Sequence, residues 1–517
     1  MNNRNFKKQV SILLVFCLSI LANNSLFAQV SKGGTPPSFS LSELRTQISG
    51  VKMPTVNTDS LLAAEKKERE QNRNIGMPFR FGFAMDVNLG LDNSGTWETV
   101  SNGDKIWRLK IYSEGALSLN LIYDKFWLPE GATFFVYGED KKTVLGAFTA
   151  ETANNKFNNF ATDIISGNTV ILEYFEPKGI SGGIINIGKV IHGYKTIFGR
   201  SDGLGASGDC NIDIHCPLGD DWALEKNAVS MILVDYNTAV CTGCLINNTL
   251  QDKTPYYLTA NHCFFNFYGD NPNPSTSIFR FKYWRPTCNG SNPSHWESIV
   301  GATILSNWAG TDFALLKLSS RPSFPVYYAG WDRRDIIPSS TTGIHHPSGD
   351  VMKISVANNA PSKDECYANN THVKSWNVVW DNGTTEPGSS GSPLFNESRR
   401  IIGQLCRGNA DCDAMFADDC YGRFYLSWEG GDTNESRLSN WLDPNNSGVL
   451  FLDGICSDIV RFTDQVVSSD TTVTSPCDIY VENVTVESGV TLIFEAGGTV
   501  IIGSDFEVEL GADFEIR

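Results

Sequence analysis

The stretch TTEPGSSGSPLF, residues 384–395, sets Ser389 and Ser390 between glycines at 388 and 391. A serine hydroxyl attacks an acyl carbon only when a base takes its proton, and a histidine serves best when a buried carboxylate fixes its tautomer. The segment PYYLTANHCFF delivers His262 at the end of an apolar strand. GTDFALLKL places Asp312 at the head of another, where burial obliges a carboxylate to find a partner. The chain order is therefore histidine, acid, serine. An α/β-hydrolase would run serine, acid, histidine and would need glycine two residues after its nucleophile, where Ser392 follows Ser390.

Four regions must position these groups. Residues 1–28 carry Arg4, Lys7 and Lys8, an apolar run from Val10 to Ala22, and Leu-Phe-Ala before Gln29, the pattern of a cleaved export signal. The run is too short to span a bilayer, and Phe16 before Cys17 does not suit lipid modification. An exported soluble product, extracellular or at the cell surface, is expected. Residues 29–204 read as a prosegment: a Lys/Glu-rich leader, then from about 76 short strands such as ATFFVYGED and TVILEYFEP that predict a β-sandwich. Residues 205–452 hold all three reactive groups in about 250 residues of short strands and loops. Residues 457–517 repeat short alternating strands with Gly or Asp turns, a β-repeat tail that reads as support or surface tether.

Twelve cysteines remain after Cys17, an even number that in an exported chain favours disulfides. Cys241-Thr-Gly-Cys244 is the nearest approach to zinc spacing, but no second pair follows, so no metal and no cofactor are expected. The formal net charge of −17 opposes nucleic-acid and anionic-membrane partners and suits cationic substrates.

The order and spacing of His262, Asp312 and Ser390 are those of chymotrypsin-like peptidases, all-β proteins with two barrels, the first supplying histidine and acid and the second serine. GASGDCNIDIHCPLGD, CTGCLINNT, LTANHC, DFALLKL, AGWDRRD, TEPGSSGSPLF, IIGQLC, YGRF and RLSNWLDP, in order over residues 205 to about 450, resemble bacterial lysyl endopeptidases. The resemblance implies a secreted serine endopeptidase that cleaves protein or peptide substrates after lysine, made with a signal and a prosegment. His262 is then the general base, Asp312 its orienting acid and Ser390 the nucleophile, with the N–H groups of Gly388 and Ser390 as oxyanion hole. Asp419 of ADDCYGRF takes the place of the acid that receives the basic P1 side chain, with Asp418 its neighbour. The implied disulfides are Cys210–Cys412, Cys216–Cys288 and Cys241–Cys263.

Two departures stand out. Trypsin-like zymogens carry Asp at the position of Ser389, so a new N-terminus finds no carboxylate there and activation must differ. The family carries His at the position of Cys406, which leaves lysine alone or lysine and arginine both open as P1 residues. Cys406 with Cys420 would staple the wall of the P1 pocket, whereas Cys244, Cys366, Cys456 and Cys477 have no partner deducible from spacing. The linker YKTIFGRSDGLGASGDC offers Lys195 and Arg200 as points of self-cleavage. Competing readings are a related peptidase with another P1 preference and a noncatalytic adhesin.

Overall fold

A computed structural model describes residues 33–71, 79–196, 207–234, 236–265, 274–293, 295–368, 371–457 and 459–517. The expected signal peptide and Arg200 lie outside the described residues.

Strand Val229–Val234 is buried at every position, and the two periods of its side chains explain why. Ile232 and Val234 point into one cluster with Leu245, Tyr257, Phe279 and Leu316, while Met231 and Leu233 join a second cluster on the opposite face. The first cluster fills a barrel. Its ladder runs 297–300, 278–281, 229–234, 239–245, 256–260, 313–318, 302–308. The first and last of these segments flank Gly301, so one bent strand pairs at both ends and closes six strands on themselves. A second barrel follows in the order 353–357, 341–345, 393–396, 401–408, 418–423, 371–379, 362–368, and the bridge between Val356 and Asn382 joins the first of these strands to the segment that follows 371–379. Trp376, Trp380, Leu394, Leu405 and Tyr421 fill it. Phe313 and Leu315 of the first barrel share a cluster with Ile354, Phe395, Trp331 and Phe424, which glues the barrels together. The architecture is a chymotrypsin-like double β-barrel.

Ahead of the barrels, two antiparallel-rich sheets of six and five strands pack around Trp107, Leu121, Phe126, Phe134, Leu172 and Tyr174. This sandwich is built into the first barrel. Strand Phe79–Arg80 pairs antiparallel with Ala239–Leu245, matching Arg80 to Ala239 and Phe79 to Val240. Phe81, Ile122, Ala161, Ile164 and Ile191 cover Met231, Leu233, Ile278, Tyr283 and Val300. Within that apolar contact Arg280 is fully buried and ion-paired with Asp163, which also accepts from Trp296 Nε1 at 2.8 Å and Ser298 Oγ at 2.7 Å. Burial pushes the Asp163 carboxyl up, but Arg280 and the other donors bring it below its ordinary value. The leader forms helix Thr58–Gln71, whose Glu65 binds Tyr194 and Lys195. Lys195 Nζ also donates to Arg80 O at 2.9 Å, so this end of the linker is packed where an accessible one was expected.

The tail is a small two-sheet solenoid of parallel strands. Thr471 lies beside Leu492 and Thr491 beside Asp513, so each turn of chain adds about 21 residues, and Val481, Val484, Val486, Leu492 and Phe494 fill the space between the sheets. Cys456–Cys477 and the pairing of Tyr327–Tyr328 with Ile455–Cys456 fasten it to the barrels. No described helix is long and apolar enough to cross a membrane.

Removing one partner of a buried ion pair strands the other charge. Asp163→Ala in the full chain is therefore expected to lower stability by roughly 3–5 kcal/mol, seen as a lower midpoint in denaturant unfolding. An unchanged midpoint would mean that Arg280 finds water or another acceptor.

Candidate active site

Asp312 sits in the turn between strands Ala302–Trp308 and Phe313–Leu318 with φ +56°, a left-handed conformation that a non-glycine residue adopts only when its surroundings hold it. Those surroundings are visible. Asp312 O accepts Asn261 N at 2.7 Å, and the preceding Thr311 is anchored to the second barrel, its O accepting Gln404 Nε2 at 2.7 Å and its Oγ1 lying 2.8 Å from Ser427 Oγ. Gly422 is what admits that turn, because a Cβ there would stand 1.8 Å from Thr311 O.

So held, the carboxylate grips His262 twice: Oδ1 accepts its backbone N–H at 3.0 Å and Oδ2 accepts Nδ1–H at 2.6 Å. Both side chains are buried. Burial pushes the Asp312 carboxyl above its ordinary value, opposed by the His262 bonds. With Nδ1 donating, the lone pair of a neutral imidazole is at Nε2, and His262 Nε2 is buried with no hydrogen-bond partner among the described residues. The disulfide Cys241–Cys263 holds the turn that carries the ring.

The serine turn crosses to meet it. Thr242, on the same strand as Cys241, donates its N–H to Ser390 O at 2.8 Å and its Oγ–H to Gly388 O at 2.9 Å, while Oγ1 accepts His346 N–H at 3.1 Å. Gly388 has φ +108°, and a Cβ there would lie 2.9 Å from His346 O and 3.1 Å from Ser348 N. Ser389 N–H is used by Glu386 O. The N–H groups of Gly388 and Ser390 on either side donate to nothing among the described residues. Two free donors flanking a hydroxyl, with an unpaired imidazole nitrogen opposite, form the arrangement that stabilises an oxyanion while a proton is removed. Among the described residues no hydrogen bond joins His262 to Ser390 Oγ.

Behind the turn lies Asp419, fully buried, on strand Asp418–Arg423. Its Oδ2 accepts Trp380 Nε1 and Thr385 Oγ1, both at 2.7 Å, and its Oδ1 accepts Asn409 N and Ala410 N, both at 3.0 Å. None of the four donors carries charge, so the carboxylate is hydrogen-bonded without being neutralised. Burial pushes its pKa up to about 6. Strand alternation turns Asp418 to the other face, where it binds Asn377 and Asn409 side chains.

Four disulfides are formed: Cys210–Cys412, Cys216–Cys288, Cys241–Cys263 and Cys456–Cys477. The expected staple between Cys406 and Cys420 is not. Cys406 occupies a bulge in the ladder between Leu405 and Arg407, which turns its Sγ towards Cys420 O at 3.1 Å and leaves it 3.5 Å from Cys366 Sγ. Cys241, His262 and Cys263 are the described cluster close enough for a metal, but its two sulfurs are bonded to each other.

Thr242, Trp380, Thr385 and Gln404 escaped the sequence reading. Thr242 was visible only as the first spacer of a CxxC.

Comparison with known proteins places the geometry in context. Residues 52–187 match the family described as lysyl endopeptidase N-terminal domain, and residues 204–422 match lysyl endopeptidase, C-terminal domain. The lysyl endopeptidase of Pseudomonas aeruginosa is 27% identical over 343 residues, 62% of this chain and 72% of that protein. Among solved structures, the active form of the Rv3671c protease from M. tuberculosis is 15% identical over 40% of this chain and 81% of its own, with a TM-score of 0.28. The thermostable serine protease AL20 from an extremophilic microorganism is 11% identical over 38% and 92%, with a TM-score of 0.27.

Because Gly388 combines a positive φ with close backbone neighbours, Gly388→Ala is expected to cost about 1–3 kcal/mol in thermal unfolding. An unaltered midpoint would show that the turn relaxes freely.

Proposed function

Proceeding from a chain that belongs to the lysyl endopeptidase family and is a serine endopeptidase, we propose that it hydrolyses peptide bonds after lysine through an acyl-enzyme on Ser390. His262 Nε2 takes the hydroxyl proton as Ser390 Oγ attacks the carbonyl, and later gives it to the leaving amine. Asp312 keeps Nδ1 protonated and stabilises the imidazolium. The N–H groups of Gly388 and Ser390 receive the oxyanion. Water then repeats the sequence on the ester.

The observation that carries the lysine reading is Asp419: an ionisable group beside the serine turn whose donors are all neutral. A cationic P1 side chain supplies the missing charge, whereas a neutral one leaves the carboxylate unpaired, a difference of roughly 3–5 kcal/mol or about 10²- to 10³-fold. Cys406 packs among Cys366, Ala368, Val373 and Cys420, a cluster separate from the Trp380 and Thr385 side chains that bind Asp419.

The reading includes export and maturation. The N-terminal signal is removed, and the segment from Gln29 to the linker is a prosegment that supports the first barrel until the enzyme releases it. None of the hydrogen bonds of His262, Asp312, Ser390 or Asp419 goes to residues 33–196, which favours support of the fold over direct occupation of these groups.

Ser390→Ala is expected to lower turnover about 10⁶-fold and to abolish labelling by a fluorophosphonate. N-terminal sequencing of the same two secreted proteins should find wild type starting between Thr196 and Gly205 and the variant still carrying its prosegment. Near-native turnover by the variant would refute the nucleophile, and identical termini would refute self-release.

A carboxyl raised to about 6 is protonated below that pH and loses its attraction for lysine there. The ratio of kcat/KM for a lysine substrate to that for a neutral-P1 substrate cancels the pH dependence of the steps common to both. That ratio is expected to fall as pH drops through about 6. A flat ratio would place the P1 acid elsewhere.

A further inference from the structure

Ser389 stands where a charged anchor was absent from the sequence, and the structure supplies another. Ser389 Oγ lies 2.8 Å from His345 Nδ1 and 3.3 Å from Glu386 N; His345 Nε2 lies 3.0 Å from Ser355 Oγ; Ser355 Oγ donates to Thr384 O at 2.8 Å. Ser355, His345, Thr384 and Ser389 are all fully buried.

The protons can be assigned by elimination. Ser355 spends its one hydrogen on Thr384 O, so it accepts from His345 Nε2–H. Burial, with the nearby charges of His346 and Lys353, pushes the His345 pKa down to about 3, so the ring is neutral and Nδ1 is an acceptor. Ser389 therefore donates to Nδ1 and receives Glu386 N–H. The bonds run from Glu386 through Ser389, His345 and Ser355 back to Thr384: a circuit that leaves the 384–389 turn, passes through strands Thr341–His345 and Lys353–Ala357, and returns.

We propose that His345 is a positioning residue which, through Ser389, holds the Gly388 and Ser390 N–H groups aimed at the oxyanion. The inference rests on reading Ser390 as the nucleophile. His345 works beside a second hold on the same turn, the Glu386 carboxylate, whose Oε1 accepts Gly208 N–H at 2.8 Å and Asn211 Nδ2–H at 2.7 Å and whose Oε2 accepts Ser348 Oγ–H at 2.7 Å. Ser389 touches neither substrate nor the reacting atoms; it acts only by fixing the peptide planes on either side.

The test compares wild type with Ser389→Ala, His345→Ala, His345→Asn and the double alanine variant, each released from its prosegment and checked for an unchanged circular dichroism spectrum. Losing an oxyanion donor outright costs about 10²- to 10³-fold in kcat. Ser389→Ala, which only misaims the donors, is expected to lower kcat about 10- to 100-fold with KM within twofold. The affinity of a lysine-like boronic acid, which is tetrahedral and anionic when bound, should fall by the same factor. The double variant should be no worse than the worse single variant. His345→Asn, which keeps an acceptor near the place of Nδ1, should recover part of the loss of His345→Ala. Should His345→Ala fail to fold, Ser389→Ala still decides. Wild-type kcat in folded Ser389→Ala, a loss confined to KM, or additive losses would overturn the proposal. Fluorophosphonate labelling of wild type separates the two readings: if Ser390 does not label, the nucleophile is wrong; if it labels and Ser389→Ala is normal, only the His345 role is.

Discussion

Four residues, Ala239 to Thr242, are where the parts of the molecule meet. The sandwich adds its strand at Ala239 and Val240, Cys241 is bonded to the residue after His262, and Thr242 holds Ser390 O and Gly388 O. The proposed base and nucleophile come from different barrels, and proton transfer between them requires their separation to be right to a fraction of an ångström. A single strand bonded to both satisfies that constraint more directly than the apolar contact between barrels, which is non-directional. The Thr311–Asp312 turn, set into the second barrel against Gly422 and Gln404, is the matching contact from the other side.

Buried ionisable groups surround this junction. Asp312 and Asp419 are buried carboxylates pushed above their ordinary values, one partnered by an imidazole and the other by four neutral donors. The tandem histidines His345 and His346 are both driven down by burial, to about 3 and about 4, and serve as neutral hydrogen-bonding groups. Arg280 with Asp163 is the contrasting case. There full charges are paired inside an interface, and separating the sandwich from the barrel would expose both. Within the barrels a second buried network joins Asp213 to Arg285 and Lys353, with Asp350 3.7 Å from Lys353, so paired charge is found inside the double barrel as well as between it and the sandwich.

The candidate catalytic residues are legible in the sequence because the chemistry proposed for them restricts residue type. A strand-end histidine, an acid heading an apolar strand and a serine among glycines leave few other readings once their order is considered. Asp419 could be separated from Asp418 only through the resemblance to a family, since alternation along a strand needs a known register. Thr242, His345 and Thr385 were illegible for a different reason. Each acts through a partner more than 30 residues away, and Thr, Ser and His are common enough that no local pattern marks them. The Cys406 bulge belongs to the same class: one extra residue in a ladder changes the direction of a sulfur, and nothing in IIGQLC announces it.

The solenoid tail has a property that follows from its composition together with its place. The last lysine of the whole chain is Lys374; none occurs in the second half of the second barrel or anywhere in the tail, where the only basic residues are Arg461 and Arg517. Thirteen lysines lie between residues 29 and 195, against seven from 207 onward, and arginines are distributed the other way, five against twelve. For an enzyme that cuts after lysine and spares arginine, its own last 143 residues are written in an alphabet it does not read. On the proposed reading the tail offers such an enzyme no lysine to attack, while residues 29–195 offer thirteen.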